Sequence, residues 1–487
     1  MSIHVLFLAA EAEPFVKIGG LADVAGSLPV SIQQISQSFG ASDRVDIRMA
    51  LPFHTAIKQN GFSPKYLGKF HILRGQQELP CQVYQSSNAG MLVYFLDGPP
   101  LAGKTAVYSP HSNQDGEKFV FFSLAALKLP EFLDWRVDIL HTNDWHTAPA
   151  IIALKTQRCA SGMLSNTKTL HTLHNLPFMG NNNENAMMAY DLPPGDDPNL
   201  PDWARLSPLP LGLSLADKII AVSPNYAKEI MTEKLGCGLE SFLIKRKSVI
   251  SGILNGIDTD AWNPETDPLI SQAFTHKNLH ERLFNKRSLF RRFNLPEMKG
   301  VPLLTFISRM DPQKGLDIAL QGLEQCQSQP WQVIILGTGD SIVEDLACEF
   351  ERKYPQRVRT FIEFNNQLAH QLYAGADILL MPSRYEPCGL AQMIAMRYGC
   401  VPLAHSTGGL LDTIISVVKD PNLGAGFLFE EDTPSQFSSS LKLAIKCYQE
   451  PQKWQQIQHN GMKTDFSWRK SALKYIHEYQ ALVNTSV

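Results

Sequence analysis

Short apolar, β-branched runs alternate with segments of helical periodicity along the entire chain, and this alternation confines the fold to parallel sheets covered by helices on both faces. In the first half the strand-like runs are Ile3 to Ala10, Val45 to Ala50, Leu92 to Leu96, Val137 to His141, Thr167 to Thr172, Lys218 to Val222 and Val249 to Leu254. A second series follows at Leu303 to Ser308, Gln332 to Leu336, Val358 to Ile362, Ile378 to Met381 and Val401 to Ala404. Between them, Asn255 to Pro268 is rich in Asn, Asp, Gly and Pro and reads as a domain junction. A chain of 487 residues exceeds one ordinary core at ~100–200 residues per domain, so two large α/β domains are expected.

With 44% apolar and 19% charged residues, the chain has the balance of a soluble globular protein. A formal net charge of −3 supplies no field for nucleic acid or anionic membrane, and the short basic spots Lys245 to Lys247 and Arg291–Arg292 read as solvated surface. The eight cysteines are scattered without a Cys-x-x-Cys pair, which implies neither a zinc site nor a disulfide framework. The apolar start has no Lys or Arg before it and runs straight into Glu11 and Glu13, unlike a signal peptide, and no stretch reaches the ~18 apolar residues of a membrane span. A reduced, cytoplasmic enzyme is expected. Leu279 to Phe293 places Leu283, Phe284, Phe290 and Phe293 on one helical face with Arg and Lys opposite, the pattern of a surface helix docked on the second domain.

The chemistry is concentrated in loops that follow the strands. Lys17, Gly19 and Gly20 lie in the turn between the first strand and a helix carrying Leu21, Val24, Ala25 and Leu28. A glycine pair lets the backbone approach an anion, a helix N-terminus aims N–H groups at it, and Lys17 adds a full positive charge. Asp23, in the first turn of that helix, either caps it or lines a ligand pocket. Arg309 and Lys314 follow the strand at Leu303, where they are either solvated charges or contacts to a polyphosphate. Glu386 to Leu390 and Thr407–Gly408–Gly409 follow the strands at Ile378 and Val401 and can turn backbone N–H groups toward a ligand. Cys388 reads as a small buried lining residue. Gly337 and Gly339 form a Gly-x-Gly turn after another strand, and Phe364 is either a core residue or a stacking platform. His171 and His174, three apart on a strand, face opposite sides of the sheet and do not share a metal.

In chain order, KIGGLADVAGSLP (Lys17 to Pro29), HTNDWHTA (His141 to Ala148), HTLHNLPFMG (His171 to Gly180), AVSPNYAKEI (Ala221 to Ile230), LNGIDTDAWNPETD (Leu254 to Asp267), ISRMDPQKGLDIAL (Ile307 to Leu320), EPCGL with its downstream STGG (Glu386 to Gly409) and DFSW (Asp465 to Trp468) resemble the bacterial glycogen synthase and plant starch synthase family. The resemblance implies a GT-B fold, two doubly wound parallel-sheet domains facing across a deep cleft. It implies domains at 1–254 and 255–466, with 467–487 crossing back as a C-terminal helix onto the first, and a plastid location for a plant member. The implied reaction moves α-glucose from ADP-glucose to the non-reducing 4-hydroxyl of an α-1,4-glucan with retention, without a metal and without nucleic-acid or membrane partners.

By the same resemblance Arg309 and Lys314 contact the diphosphate, Lys17 adds charge, and Glu386 holds glucose hydroxyls. His174 and Asn175 lie beside the reacting glucose. Cys388, Gly389 and the Thr407–Gly408–Gly409 loop contact glucose or phosphate, Gly337 lies near the nucleotide, and Phe364 lies against the base. A related group of transferases has a second glutamate eight residues after the first, where this chain has Ile394, which favours the narrower family. The stretch ARLSPLPLGLSLAD (Ala204 to Asp217) departs from the family pattern on the acceptor side. It leaves open another donor such as UDP-glucose, a small acceptor such as glucose 1-phosphate, or a glucan-binding protein without turnover.

Overall fold

The computed structural model describes residues 2–40, 44–103, 106–109, 111–156 and 162–484, so the ends of the expected segments 1–254 and 467–487 lie partly outside the described residues. The chain forms two units, one of Met1–Gly256 with Trp468–Val487, the other of Ile257–Ser467.

The first unit is built on a nine-stranded sheet: β1 (Ile3–Leu8), β2 (Val45–Pro52), β3 (Lys65–Arg74), β4 (Gln77–Asn88), β5 (Met91–Asp97), β6 (Ile139–Asn143), β7 (Lys168–Leu173), β8 (Lys218–Ala221) and β9 (Ile250–Gly252). Their order is β3-β4-β5-β2-β1-β6-β7-β8-β9. Every pair from β5 to β9 across this sheet is parallel, while β3/β4 and β4/β5 are antiparallel. The hairpin β3–β4 adds an antiparallel edge to the expected parallel sheet. It lies at the sheet edge, where β3 buries only Ile72 and β4 alternates buried Leu79, Cys81 and Val83 with exposed Pro80 and Gln82, so neither forms a continuous apolar run. The terminal helix Trp468–Asn484 belongs to this unit: Trp468, Ala472, Tyr475, Ile476 and Tyr479 join the core of β1 and of the helix Gly20–Ser36.

In the second unit β10 (Leu303–Ile307), β11 (Gln332–Gly337), β12 (Val358–Ile362), β13 (Ile378–Met381), β14 (Val401–His405) and β15 (Phe427–Phe429) form a parallel sheet in the order β12-β11-β10-β13-β14-β15. The three-residue β15, paired with β14, is too short to stand out as an apolar run in the sequence.

The helix Arg282–Arg292 differs from its expected orientation. Its buried face carries Arg282, Asn285, Lys286, Leu289 and Phe290, whereas Leu283 and Phe284 are 44% and 50% exposed. The cations have found partners that hydrophobic residues cannot serve. Lys286 Nζ donates to Asp377 Oδ2 at 2.6 Å, to the Val301 carbonyl at 3.0 Å and to the Tyr448 hydroxyl at 3.0 Å. Arg282 donates to the Tyr373 and Ala376 carbonyls at the end of the helix Asn366–Gly375.

In each unit the strand order reverses beside its first strand, between β1 and β6 and between β10 and β13. The loops at the carboxyl ends of those strands therefore diverge and leave a crevice, which is where open α/β sheets bind ligands. These are the loops that carry Lys17, Asn143–Asp144, Arg309–Lys314 and Ser383–Leu390.

Candidate active site

In the second unit, Asp311 caps the short helical turn Pro312–Lys314 by accepting from the Lys314 amide, and the turn aims the Lys314 side chain back at the strand ends. Lys314 Nζ donates to Glu386 Oε2 at 2.7 Å, and Ser383 Oγ donates to the same oxygen at 3.0 Å. Residues 72 positions apart thus form a largely buried ion pair. It opens on a cavity of about 70 Å³ lined by Ser308, Lys314, Ser383, Glu386, Gly389 and Ala391. Arg309 is half exposed and pairs with Asp311 at 3.1 Å.

The Thr407 loop packs backbone to backbone on the Glu386 loop. The Gly409 amide donates to the Glu386 carbonyl at 3.0 Å, and Gly408, at φ +47°, leaves room for that carbonyl where a Cβ would come within 1.9 Å. These glycines are required for close packing, so the Gly409 amide is not open to a ligand as the sequence suggested. Gly337 is similar: a Cβ there would lie 2.0 Å from the Ser308 carbonyl. Its own carbonyl accepts from the Glu363 amide at 3.0 Å, which brings Phe364 beside it. Phe364 is 78% exposed, which removes the core reading. Cys388 is buried, and Gly389, at φ +72°, follows it in the cavity wall.

In the first unit the helix Gly20–Ser36 begins at Gly19 without a side-chain cap, so Asp23 is not its cap. Asp23 Oδ1 instead accepts from Lys17 Nζ at 2.7 Å, and Glu13 Oε1 lies 3.4 Å from the same nitrogen. Burial pulls the Lys17 pKa down, but Asp23 and Glu13 more than offset it, so the ammonium is held charged. The Ile18 and Gly19 amides point inward to Glu11 Oε2 at 2.5 and 3.1 Å, and the Tyr108 hydroxyl donates to Glu11 Oε1 at 2.9 Å. Burial raises the Glu11 pKa, while these three donors pull it down. Gly20 faces open space.

At the end of β6, Asp144 adopts φ +52° and accepts from the His174 amide at 2.7 Å and from the Asn175 amide. Burial drives its carboxyl pKa up to about 7. The His174 ring donates through Nε2 to Asn143 Oδ1 at 2.9 Å, and burial lowers its pKa to about 3, so the imidazole is neutral. His171 turns away to Thr142 Oγ1 at 2.8 Å. Among the described residues no group of three or more His, Cys, Asp or Glu is arranged to hold a metal.

The starch synthase catalytic domain matches residues 4–245, and glycosyl transferases group 1 matches residues 288–460. The glycogen synthase of Bacillus cereus (strain B4264) is 37% identical over 99% of this chain and 100% of its own length. That of Clostridium perfringens is 36% identical over 99% of this chain and 98% of its own. The chain belongs to the glycogen and starch synthase family. The catalytic domain of starch synthase IV from Arabidopsis thaliana, solved bound to ADP and acarbose, superposes with a TM-score of 0.89 at 28% identity over 99% of this chain and 100% of that one. A sucrose-phosphate synthase from Thermosynechococcus elongatus, at TM-score 0.62 and 16% identity over 99% and 100% of the chains, shares the fold. The protein is thus a retaining glycosyltransferase of GT-B fold.

Beside the residues expected from the sequence, the structure places Glu11, Tyr108 and Asp144 in the first unit and Ser383 in the second. Asp144 lies inside a motif already recognised, and its signal was a carboxylate at the end of a fully buried strand. Glu11 follows the end of the largely buried β1 by three positions, a weaker form of that signal. Neither position shows from sequence alone which amides its carboxylate receives.

Proposed function

We propose that the protein transfers α-D-glucose from ADP-glucose to the non-reducing 4-hydroxyl of an α-1,4-glucan, with retention and without a metal. The observation that carries this reading is the Lys314–Glu386 pair at the crevice of the second unit. It offers a cation to a departing diphosphate and a carboxylate to sugar hydroxyls within one hydrogen bond of each other. Membership of a family whose relatives are named glycogen synthase, and a structural relative bound to ADP, support glucan as acceptor and an adenine nucleotide as donor.

In this reading Arg309 and Lys314 neutralise the leaving diphosphate, with Lys17 as a third cation, so charge stabilisation needs no metal. Glu386, with Cys388, Gly389 and Thr407 around it, receives the glucosyl group, and Phe364 offers its exposed ring to the base. His174 and Asn175 line the sugar side, with neutral His174 as a hydrogen-bonding group and Asp23 as an acceptor. Asp144 is engaged by two amides and serves to hold the His174–Asn175 turn, not as a nucleophile. Retention then follows from front-face attack in which the leaving phosphate takes the acceptor proton.

The test is nucleotide release and chain elongation with maltohexaose or glycogen, ADP-glucose and UDP-glucose in parallel, and chelator present. Elongation from ADP-glucose is expected. Elongation only from UDP-glucose overturns the donor, transfer only to glucose 1-phosphate overturns the acceptor, and loss of transfer with chelator overturns metal independence.

A further inference from the structure

The glycine loop of the first unit already contains an anion. Glu11 is 1% exposed, and its carboxylate takes the Ile18 and Gly19 amides and the Tyr108 hydroxyl. An amide engaged in such a bond has no second hydrogen for a phosphate. Displacing the carboxylate would strip a buried charge of two of its three donors, which is strongly unfavourable. The Ile18 N–H also lies in the peptide plane of the Lys17 carbonyl, so the Glu11 bond fixes the backbone from which the Lys17 side chain departs.

We propose that Glu11 is a positioning residue of the transfer reaction: it is the built-in anion of the glycine loop, and it sets Lys17 in place while closing the loop amides to phosphate. This rests on the glucosyl-transfer reading. Glu11 touches neither donor nor acceptor in this role. It acts through Lys17, and the loop contributes a side-chain cation instead of a backbone phosphate cradle.

The test uses the full-length protein as Glu11→Gln, Glu11→Ala and Tyr108→Phe, measuring kcat and KM with ADP-glucose and maltohexaose, ADP affinity by calorimetry, and Tm. For Glu11→Gln the expected result is a fall in kcat of about tenfold or more with ADP affinity within about threefold of the unsubstituted enzyme. Glu11→Ala, which keeps no oxygen for the amides, should fall further, and Tyr108→Phe should lose about threefold in kcat in the same sense. If Glu11→Ala does not fold, the Gln and Tyr108 variants carry the test. ADP binding about fivefold tighter without the Glu11 carboxylate would mean that the freed amides receive phosphate, and would overturn the proposal. So would kcat within about twofold of the unsubstituted enzyme in folded Glu11→Gln. An unsubstituted enzyme that transfers no glucose defeats the glucosyl-transfer reading, and this proposal with it. Turnover unchanged by the substitutions defeats the proposal alone.

Discussion

The two switch points place loops in the same position on the same kind of sheet and differ in charge. In the first unit Lys17 shares its loop with three carboxylates, Glu11, Glu13 and Asp23. In the second, Lys314 faces Glu386 and Arg309 faces Asp311, so cations and carboxylates are equal in number. An excess of acceptors with one cation suits hydroxyl groups, whereas a balanced set can take on a diphosphate by exchanging partners. On the proposed function, the balanced set binds the ground-state diphosphate, while Lys17, outnumbered by carboxylates, adds its charge only as the transfer proceeds.

The comparison breaks or holds first on the two lysines. Lys314→Ala is expected to lower transfer about a hundredfold, on the order of 3 kcal/mol in the transition state, and to weaken ADP binding about tenfold. It also leaves Glu386, whose side chain is 8% exposed, without its cation, so a loss of roughly 3–5 kcal/mol in stability accompanies it. Lys17→Ala should match the loss of transfer while ADP affinity stays within about threefold. Its pair is about a quarter exposed on each side, so unfolding should shift little. Calorimetry with ADP on both variants decides the matter: an equal loss of ADP affinity would erase the distinction between the crevices.

The next largest effect concerns Asp144, which sharpens the picture of the first unit as a hydroxyl-facing site. Its folded pKa of about 7 lies above the ordinary 3.8. The folded state therefore binds the proton more tightly, and the stability this contributes is present at low pH and lost as pH rises from 3.8 to about 7. Asp144→Asn keeps an oxygen for the His174 and Asn175 amides and removes the buried charge. It should be stabilised relative to the unsubstituted protein by up to roughly 4 kcal/mol above pH 7, with the difference shrinking toward pH 4. His174, lowered to about 3 by burial, runs the other way: its stability is present above 6.5 and lost as pH falls toward 3. Melting curves of both proteins from pH 4 to 8 test this, and a gap independent of pH would mean that Asp144 is ionised throughout.

Much of the fold was legible because parallel strands buried on both faces read as unbroken apolar runs, as in Val333 to Leu336 or Ile378 to Met381. The hairpin β3–β4 was not, since one face of QELPCQVYQSSN is exposed and its period-2 signal is weak beside those runs. The buried face of the helix Arg282–Arg292 is not legible because it is decided by Asp377 and by the Tyr373 and Ala376 carbonyls, all remote in sequence. In the site, residue types and loops were legible, and partners were not. Nothing in the spacing of Lys314 and Glu386 predicts their pairing, and the glycines at Gly408 and Gly337 that suggested open amides are there for backbone contact. Glu11 is not legible in the sequence for the same reason, since its role is defined by where its oxygens point.

The smallest effect expected belongs to Phe364, and it tests the nucleotide side of the second unit in isolation. Its ring is 78% exposed at the end of β12, on a segment tied to Gly337 by the Glu363 amide. An exposed aromatic ring contributes little to folding, so Phe364→Ala should leave Tm unchanged within about 0.5 kcal/mol of stability. Stacking of a base on that ring is worth about 0.5–1.5 kcal/mol, so KM for ADP-glucose should rise roughly three- to tenfold with kcat retained. Phe364→Tyr keeps the stacking face and should restore the KM. A KM unmoved by Phe364→Ala would detach the β12 loop from the nucleotide and leave the Lys314–Glu386 crevice to bind the donor through its phosphates and sugar alone.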